Sequence, residues 1–155
     1  MIIAQRYHDI SCGHRVAGHE SKCAFLHGHN YRVHFTCSIP KLDSIGRVLD
    51  FSVMKLALCE WLEQHWDHKF LAWREDEAMR ALVASTTVSG SMVGATLLDL
   101  SIVWVPFNPT AENMAYYLLH TIGPQQLRVY DAAAGVMLRE VRIEETRKCS
   151  ASASL

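Results

Sequence analysis

The stretch His-Gly-His-Asn-Tyr-Arg-Val-His-Phe-Thr-Cys-Ser-Ile, residues 27–39, predicts a long β-strand with one apolar face. From residue 30 to residue 39 apolar and polar side chains alternate, which is the period of two expected of a strand covered on one side. His27 and His29 share the parity of the apolar side chains, so both imidazoles should point toward the covered side. Gly28 between them adds no side chain that would obstruct a metal ion held there.

A third histidine lies upstream, where residues 5–15 predict a strand that pairs with the first one and carries His14. Three imidazole nitrogens with a fourth coordination position left open are the ligand set of a catalytic zinc centre. Cys23, four residues before His27, is a thiol placed to act beside such an ion. The alternative is a polar strand edge whose histidines bond to backbone, since a chain with nine histidines contains His-x-His pairs by chance.

Two longer helices are expected, from residue 50 or 52 to about residue 65 and from residue 110 to residue 122. Each has an apolar stripe broad enough to bury one side against a sheet. Thr110 is the expected N-cap of the second helix, and Gly123-Pro124 is its expected stop.

The remaining segments are shorter. They are interpreted as a helix over 75–84, a loop over 85–94, and strands over 102–107, 128–130 and 136–146. In the last strand Glu145 shares the parity of Val141 and Ile143, so its carboxylate should face the histidines. The expected architecture is α+β, an antiparallel sheet with two helices on one face in the order ββααββ, as a single domain over residues 1–155.

The composition excludes several classes of protein. Half of the residues are hydrophobic, a fifth are charged and the net charge is −1, so nothing suggests a basic face for nucleic acid. The apolar stretch over 92–105 is too short to span a membrane. Five cysteines without paired spacing argue against a disulfide framework and favour a reducing cytoplasm.

The open edges of the expected antiparallel sheet can be protected by pairing with another subunit.

Several short motifs occur in a fixed order along the chain: His14-Arg15, Lys22-Cys23-x-x-Leu26-His27-Gly28-His29-Asn30-Tyr31, Val48-Leu49-Asp50-Phe51, Trp66-Asp67-His68-Lys69-Phe70-Leu71, Pro109-Thr110-Ala111-Glu112-Asn113 and Glu145-Thr146. Together they resemble the family of 6-pyruvoyl-tetrahydropterin synthases and 6-carboxy-tetrahydropterin synthases, over nearly the whole chain. The resemblance implies the T-fold, whose sheets join into barrel-like trimers that stack into hexamers.

The resemblance also implies roles for particular residues. The implied Zn²⁺ ligands are His14, His27 and His29, and the implied catalytic residues are Cys23, a general base, and the acid–base pair Asp67 and His68. The implied contacts to the pterin ring are Glu145, Glu112 and Thr110. The alternatives for Thr110 and Glu112 are a helix cap and a favourable charge in the first helical turn. The cations for a triphosphate stay open among Arg15, Lys22, Arg147 and Lys148, for which solvation at the surface is the alternative.

The spacing Lys-Cys-x-x-Leu-His-Gly-His and the ending Glu-Thr-x-x-Cys look more like the bacterial 6-carboxy branch. That branch converts 7,8-dihydroneopterin triphosphate to 6-carboxytetrahydropterin, acetaldehyde and triphosphate, for deazapurines such as queuosine. The alternatives are the 6-pyruvoyl product, a zinc- or pterin-binding subunit without turnover, and a zinc hydrolase that would not need Cys23. We therefore expect a cytoplasmic homo-oligomer, trimer or hexamer, that acts on a small pterin triphosphate and binds neither nucleic acid nor membrane.

Overall fold

The computed structural model describes residues 1–88 and 92–155. It contains six strands: β1 (Ile3–His14), β2 (His27–Ser38), β3 (Phe70–Trp73), β4 (Ile102–Val105), β5 (Met137–Thr146) and β6 (Cys149–Ser154). They form one sheet in the order β4-β3-β1-β2-β5-β6. The long strands near the middle of this order are therefore the ones that the alternating pattern predicts.

The pairing of β1 with β2 is antiparallel and uninterrupted from Ile3 opposite Ser38 to His14 opposite His27. Side chains of alternate residues on these strands enter the core, among them Ile10, Tyr31 and Phe35, each at most 2% exposed. The histidine-bearing ends of both strands consequently lie side by side at one end of the sheet.

The remaining pairings divide the sheet into two parts. β2–β5 and β5–β6 are antiparallel, as expected, whereas β3 pairs with β1 in parallel and β4 pairs with β3 in parallel. The parallel β3–β4 pair is reached by a helical crossover, which such a connection requires. The α+β class is confirmed, but the expectation of a purely antiparallel sheet is wrong at this edge.

Two long helices cover one face of the sheet, and each contains a π-helical segment. The first consists of α1 (Phe51–Met54), a π segment (Lys55–Cys59) and α2 (Glu60–His65). After it come α3 (Glu77–Val88) and α4 (Met92–Ser101), which connect β3 to β4. The second long helix consists of α5 (Ala111–Tyr117), a π segment (Leu118–Ile122) and α6 (Gly123–Arg128).

The core lies between the two long helices and the sheet. Helix residues Met54, Leu58, Leu62, Met114, Leu118 and Leu119 form one hydrophobic cluster with strand residues Val33, Phe35, Val141 and Ile143. The N-caps agree with the sequence pattern, since the side chain of Asp50 accepts from the Ser52 amide and that of Thr110 from the Asn113 amide.

The loop expected over 85–94 is wrong where the structure describes it, because residues 85–88 belong to α3 and residues 92–94 to α4. Residues 89–91 of that expected loop lie outside the described residues. The hydroxyls of Ser85 and Thr86 donate to the carbonyl oxygens of Leu82 and Val83, three residues earlier. The expected loop rested on the abundance of Ser, Thr and Gly over residues 85–94, but hydroxyl side chains bonded in this way are accommodated within a helix.

The expected helix stop at Gly123-Pro124 is also wrong, because α6 begins at Gly123. Pro124, the second residue of α6, follows the π segment within one continuous helix and supplies no backbone N–H there. A Cβ on Gly123 would overlap Leu138 Cδ2 and lie 2.9 Å from the carbonyl oxygen of Leu118. The glycine therefore permits close packing of this helix on β5 rather than ending the helix.

Residues 128–130 accordingly form no strand: Arg128 is the last residue of α6, and Val129 and Tyr130 follow as a connection. The last strand is β6, which the sequence pattern does not reveal because the residues that alternate along it, Ala and Ser, are both small. Within residues 1–88 and 92–155, no helix has both the length and the apolar character that crossing a bilayer demands.

We expect Gly123→Ala to lower the free energy of unfolding by about 1–3 kcal/mol, because the added methyl group overpacks the contact with Leu138. Urea denaturation followed by circular dichroism measures the change. The control is Gln125→Ala, at an exposed position of the same helix, which should change stability by no more than about 0.5 kcal/mol. A Gly123→Ala protein stabilised by about 1 kcal/mol, the gain in helix propensity alone, would contradict the close contact.

Candidate metal centre and active-site cavity

Three histidines converge at the end of the β1–β2 pair, on the face that packs toward the helices. In the strand register His27 lies opposite His14, and His29 lies opposite Cys12. The ligand atoms of His14, His27 and His29 all lie within 4.8 Å of one another. The sequence suggested that Gly28 leaves room for an ion, but the structure gives this glycine another role. A Cβ on residue 28 would lie 2.8 Å from the Cys12 carbonyl oxygen, so the glycine permits close approach of β1 and β2.

Backbone carbonyl groups fix the orientation of two of these rings. Nδ1 of His14 lies 2.7 Å from the carbonyl oxygen of Pro109, and Nδ1 of His27 lies 2.7 Å from that of Phe25. A ring nitrogen so placed carries the proton and donates it, which leaves a lone pair on Nε2 of each ring. Burial lowers the pKa of His14 and of His29, so these rings are neutral near pH 7, as metal ligands must be.

Nε2 of His29 is buried and has no hydrogen-bond partner among the described residues. Glu145 Oε1 lies 3.4 Å away, on the long side for a hydrogen bond. Buried nitrogens are normally partnered, and an ion shared with His14 and His27 would satisfy this one. The donor set fits a divalent transition metal held by three imidazoles, with further ligands supplied from the solvent side.

A cavity of about 320 Å³ opens beside His14. Its lining includes five of the residues singled out from the sequence, namely His14, Cys23, Thr110, Glu112 and Glu145. A volume of this size is within the range of small-molecule sites. The structure therefore brings a metal-site histidine, a thiol and two carboxylates to the wall of one cavity.

Cys23 reaches the cavity from a 3₁₀ turn, Lys22–Ala24. The Val16 amide donates to the Cys23 carbonyl oxygen at 2.7 Å and closes the loop that carries this turn. Asn108 holds the same loop from outside, because its side chain accepts from the Ala17 amide and donates to the Ala17 carbonyl oxygen, both at 2.9 Å. We call this pair of bonds the Asn108 bracket. It fixes the cysteine loop to the segment that precedes α5.

The next two residues of that segment also contribute to the site. Pro109 accepts the hydrogen bond from His14, and Thr110 caps α5 at the edge of the cavity. Three consecutive residues therefore position the first histidine, the cysteine loop and the helix that carries Glu112.

Sequence and structure comparisons agree on one family. The sequence profile described as 6-pyruvoyl tetrahydropterin synthase matches residues 3–154. The chain belongs to this family.

Among curated relatives of this pterin synthase family member, the 6-carboxy-5,6,7,8-tetrahydropterin synthase of Rickettsia typhi is 30% identical over 149 residues, which cover 96% of this chain and 97% of the relative. Among solved structures, an uncharacterized protein from Wolinella succinogenes has a TM-score of 0.79 at 25% identity, with 99% of each chain covered. The 6-pyruvoyl tetrahydropterin synthase of Caenorhabditis elegans has a TM-score of 0.62 at 20% identity and covers 99% of this chain and 95% of its own. These likenesses confirm the expected T-fold.

Asp67 and His68 lie just before β3, beside the edge of β1 that does not pair with β2. The His68 amide donates to the Ser11 carbonyl oxygen on that edge. Asp67 accepts hydrogen bonds from the Ser11 amide and from His68 Nδ1, both at 2.8 Å. Burial acts to raise the pKa of Asp67, but these hydrogen bonds outweigh it, and the net pKa lies below its usual value. His68 has a left-handed φ of 56°, uncommon for histidine, and its side chain is 83% exposed.

The cavity that contains Cys23 is lined, within the part of the chain that the structure describes, by neither Asp67 nor His68. Both border a depression that also contains Ser11 and Asn30. These two residues alternate along their strands with Cys12 and His29, so they face the opposite side of the sheet. Within one chain, the acid–base pair thus lies outside the cavity that contains Cys23, and His68 borders a separate, shallow depression with His29.

The sequence analysis did not single out His19, Cys149 or Tyr31 as residues of the site. His19 and Cys149 line the cavity, and the Tyr31 hydroxyl lies 3.1 Å from His14 Nε2. His19 lies in the loop that carries Cys23, and Cys149 belongs to the Glu-Thr-x-x-Cys ending, so both positions carried a signal. Tyr31 shares the parity of His27 and His29 but resembles an ordinary core residue. Burial raises its pKa, so the hydroxyl stays protonated and can donate.

One of the four cations that the sequence left open for a triphosphate has a partner in the structure. Nε of Arg15 lies 3.4 Å from Oδ2 of Asp76, a buried carboxylate whose other oxygen accepts from amides at the start of α3. Arg15 therefore balances a buried charge near that helix.

We expect His27→Ala to weaken binding of Co²⁺, used as a spectroscopic probe, by more than about 100-fold. Replacing a residue that only hydrogen-bonds to a metal ligand already lowers metal affinity by about 10–100-fold, and loss of a ligand itself should cost more. Equilibrium dialysis with metal analysis gives the affinity. His65→Ala is the matched control, since His65 stacks on Trp61 in the first long helix and should not alter binding. Equal Co²⁺ affinity in both variants would contradict a site built on the three histidines.

Proposed function

We propose that this chain is a zinc-dependent 6-carboxy-5,6,7,8-tetrahydropterin synthase. It acts as a carbon–carbon lyase that converts 7,8-dihydroneopterin triphosphate to 6-carboxytetrahydropterin, acetaldehyde and triphosphate. The observation that carries the proposal is the single cavity whose wall contains His14, Cys23, Glu112 and Glu145. The name of the Rickettsia typhi relative, similar over 96% of this chain, supports the choice of product.

The proposed Zn²⁺ ligands are His14, His27 and His29. A set of three imidazoles with an open fourth position is typical of catalytic rather than structural zinc. When bound, Zn²⁺ supplies the positive charge that makes the hydroxyl groups of the substrate side chain more acidic. The carbonyl oxygens of Pro109 and Phe25 hold two of these rings with Nε2 unprotonated.

Cys23 is the proposed general base that removes a proton from a side-chain carbon of the substrate. Its loop is held by the Val16–Cys23 hydrogen bond and the Asn108 bracket, which favours a defined position of the sulfur over the cavity. A protein that only binds a pterin has no need of a thiol together with the Asp67–His68 pair. This combination favours an enzyme over a binding subunit.

Glu145 and Glu112 are the proposed contacts to the pterin ring. N3–H and the 2-amino group of a pterin are adjacent donors, and one carboxylate can accept from both. Thr110 Oγ1 accepts the hydrogen bond from the Asn113 amide at 3.2 Å, so its own proton can still be donated to a ligand. The cap and the proposed ligand contact are therefore compatible.

Asp67 and His68 are proposed to act in the cavity of a neighbouring copy of the chain. The exposed ring of His68 and its position on the opposite side of the sheet support this arrangement. β4 and β6 are the edges of the sheet, and association with further subunits protects such edges. The proposed assembly is a homo-oligomer, a trimer or hexamer.

The proposed reaction takes place in the cytoplasm. All five cysteines are free thiols, which is the state that a reducing compartment maintains. The proposed product serves the synthesis of deazapurines such as queuosine.

We expect the Zn²⁺-loaded protein to form 6-carboxytetrahydropterin and acetaldehyde from 7,8-dihydroneopterin triphosphate, and Cys23→Ala to lower turnover by about 10²–10⁴-fold while retaining zinc. Mass spectrometry of the products and metal analysis of both proteins test this. Cys59→Ala is the control, since Cys59 lies in the first long helix beside Arg6, at the far end of β1.

A 6-pyruvoyl product would assign the chain to the activity that the matching profile is named after. Full turnover in Cys23→Ala would contradict the role of the thiol and favour a zinc hydrolase. An unchanged substrate with zinc bound would favour a binding subunit.

A mixing experiment tests the shared site. We expect Cys23→Ala and His68→Ala proteins to be nearly inactive alone and to regain activity when refolded together in equal amounts. Roughly a quarter of the randomly formed interfaces then combine an intact Cys23 of one subunit with an intact His68 of its neighbour. Mixing Cys23→Ala with Cys23→Ser protein is the control. If the two single-site variants restore no activity although mixed oligomers form, Asp67 and His68 do not serve a neighbouring cavity.

A further inference from the structure

The Tyr31 hydroxyl lies inside the group of three histidines. Tyr31 is fully buried, at 0% exposure, and its Oη is 3.1 Å from Nε2 of His14. Because Nδ1 of His14 donates to Pro109, Nε2 carries no proton and accepts the hydrogen bond from the tyrosine hydroxyl. The direction of this hydrogen bond therefore follows from the tautomer of His14.

Nε2 of His14 has one lone pair in the plane of the ring. A metal ion held by His14, His27 and His29 needs this lone pair, because Nδ1 is protonated and bonded to the backbone. The lone pair cannot accept the tyrosine proton and bind an ion at the same time. Hydrogen bonding by Tyr31 and metal binding by His14 are thus mutually exclusive.

The surroundings of Tyr31 limit how its hydroxyl can respond. The ring lies edge-on to His14 and to His29, with centroid separations of 5.8 and 5.4 Å. Since the residue has no exposed surface, the hydroxyl cannot turn to bulk solvent when it loses its acceptor. A buried hydroxyl without a partner is unfavourable, so metal binding is weakened by this loss.

We propose that Tyr31 is a positioning residue that competes with the metal: its hydroxyl holds the Nε2 lone pair of His14 in the metal-free protein and must release it when an ion binds. The inference rests on the metal site of the proposed function and goes beyond it. In the metal-free chain the hydrogen bond satisfies a buried nitrogen and keeps the His14 ring in its ligand orientation. The same bond lowers the affinity of the site for metal.

We expect Tyr31→Phe to bind Zn²⁺ about 3- to 30-fold more tightly, because the variant has no buried hydroxyl to deprive of a partner. Competition with a chelator of known affinity, at one fixed neutral pH and without substrate, measures the change. Tyr117→Phe is the matched control: Tyr117 is half-buried and packs on Phe107 and Trp66, and its variant should bind Zn²⁺ like the wild type.

Equal or weaker Zn²⁺ binding by Tyr31→Phe would overturn the competition while leaving the metal site intact. Absence of Zn²⁺ binding in both wild type and variant would overturn the metal site and the competition together. Proton–nitrogen NMR of the wild type with ¹⁵N-labelled histidine gives a second measurement that does not depend on a variant. The Tyr31 hydroxyl proton should correlate with His14 Nε2 in the metal-free protein and lose this correlation when Zn²⁺ is added; a correlation that persists with Zn²⁺ bound would overturn the proposal.

Discussion

The register between β1 and β2 is the constraint on which the rest of the structure depends. It places His14 opposite His27 and Cys12 opposite His29. Because side chains alternate with a period of two, a slip of one residue would turn every inward side chain of a strand outward. Such a slip in β2 would expose Tyr31, Val33 and Phe35 as well as both histidines. The hydrophobic core therefore enforces the geometry of the metal site, and no separate device is needed to select it.

Backbone groups rather than long side chains assemble the rest of the site. The carbonyl oxygens of Phe25 and Pro109 orient two rings, and the Asn108 bracket holds the cysteine loop beside the start of α5. Backbone atoms at the ends of packed elements have little freedom, so groups bonded to them are well positioned. The chemistry at the cavity is consequently linked to the packing of the second long helix on the sheet.

Sequence reasoning predicted the features that depend on local periodicity. Alternation identified β2, parity placed Glu145 on the histidine side, and capping preference identified Thr110. It failed where tertiary contacts decide: β3 has four residues, too few for a period to be visible, and the reason for Gly123 lies in a contact with Leu138 on a distant strand. Tyr31 fits the apolar pattern of β2, so its hydroxyl contact with His14 was not expected. The separation of Asp67 and His68 from Cys23 depends on which side of the sheet each side chain reaches. Neither fact is encoded in spacing along the chain.

The bracket around the cysteine loop is also chemically durable. Asparagine side chains age by deamidation, which begins when the nitrogen of the following peptide attacks the side-chain amide and closes a succinimide ring. The residue after Asn108 is Pro109, whose backbone nitrogen carries no hydrogen and cannot form this ring. A deamidated residue 108 would present a carboxylate in place of the amide that donates to the Ala17 carbonyl oxygen. The order Asn-Pro thus protects the bracket from slow loss of a donor over the lifetime of the protein.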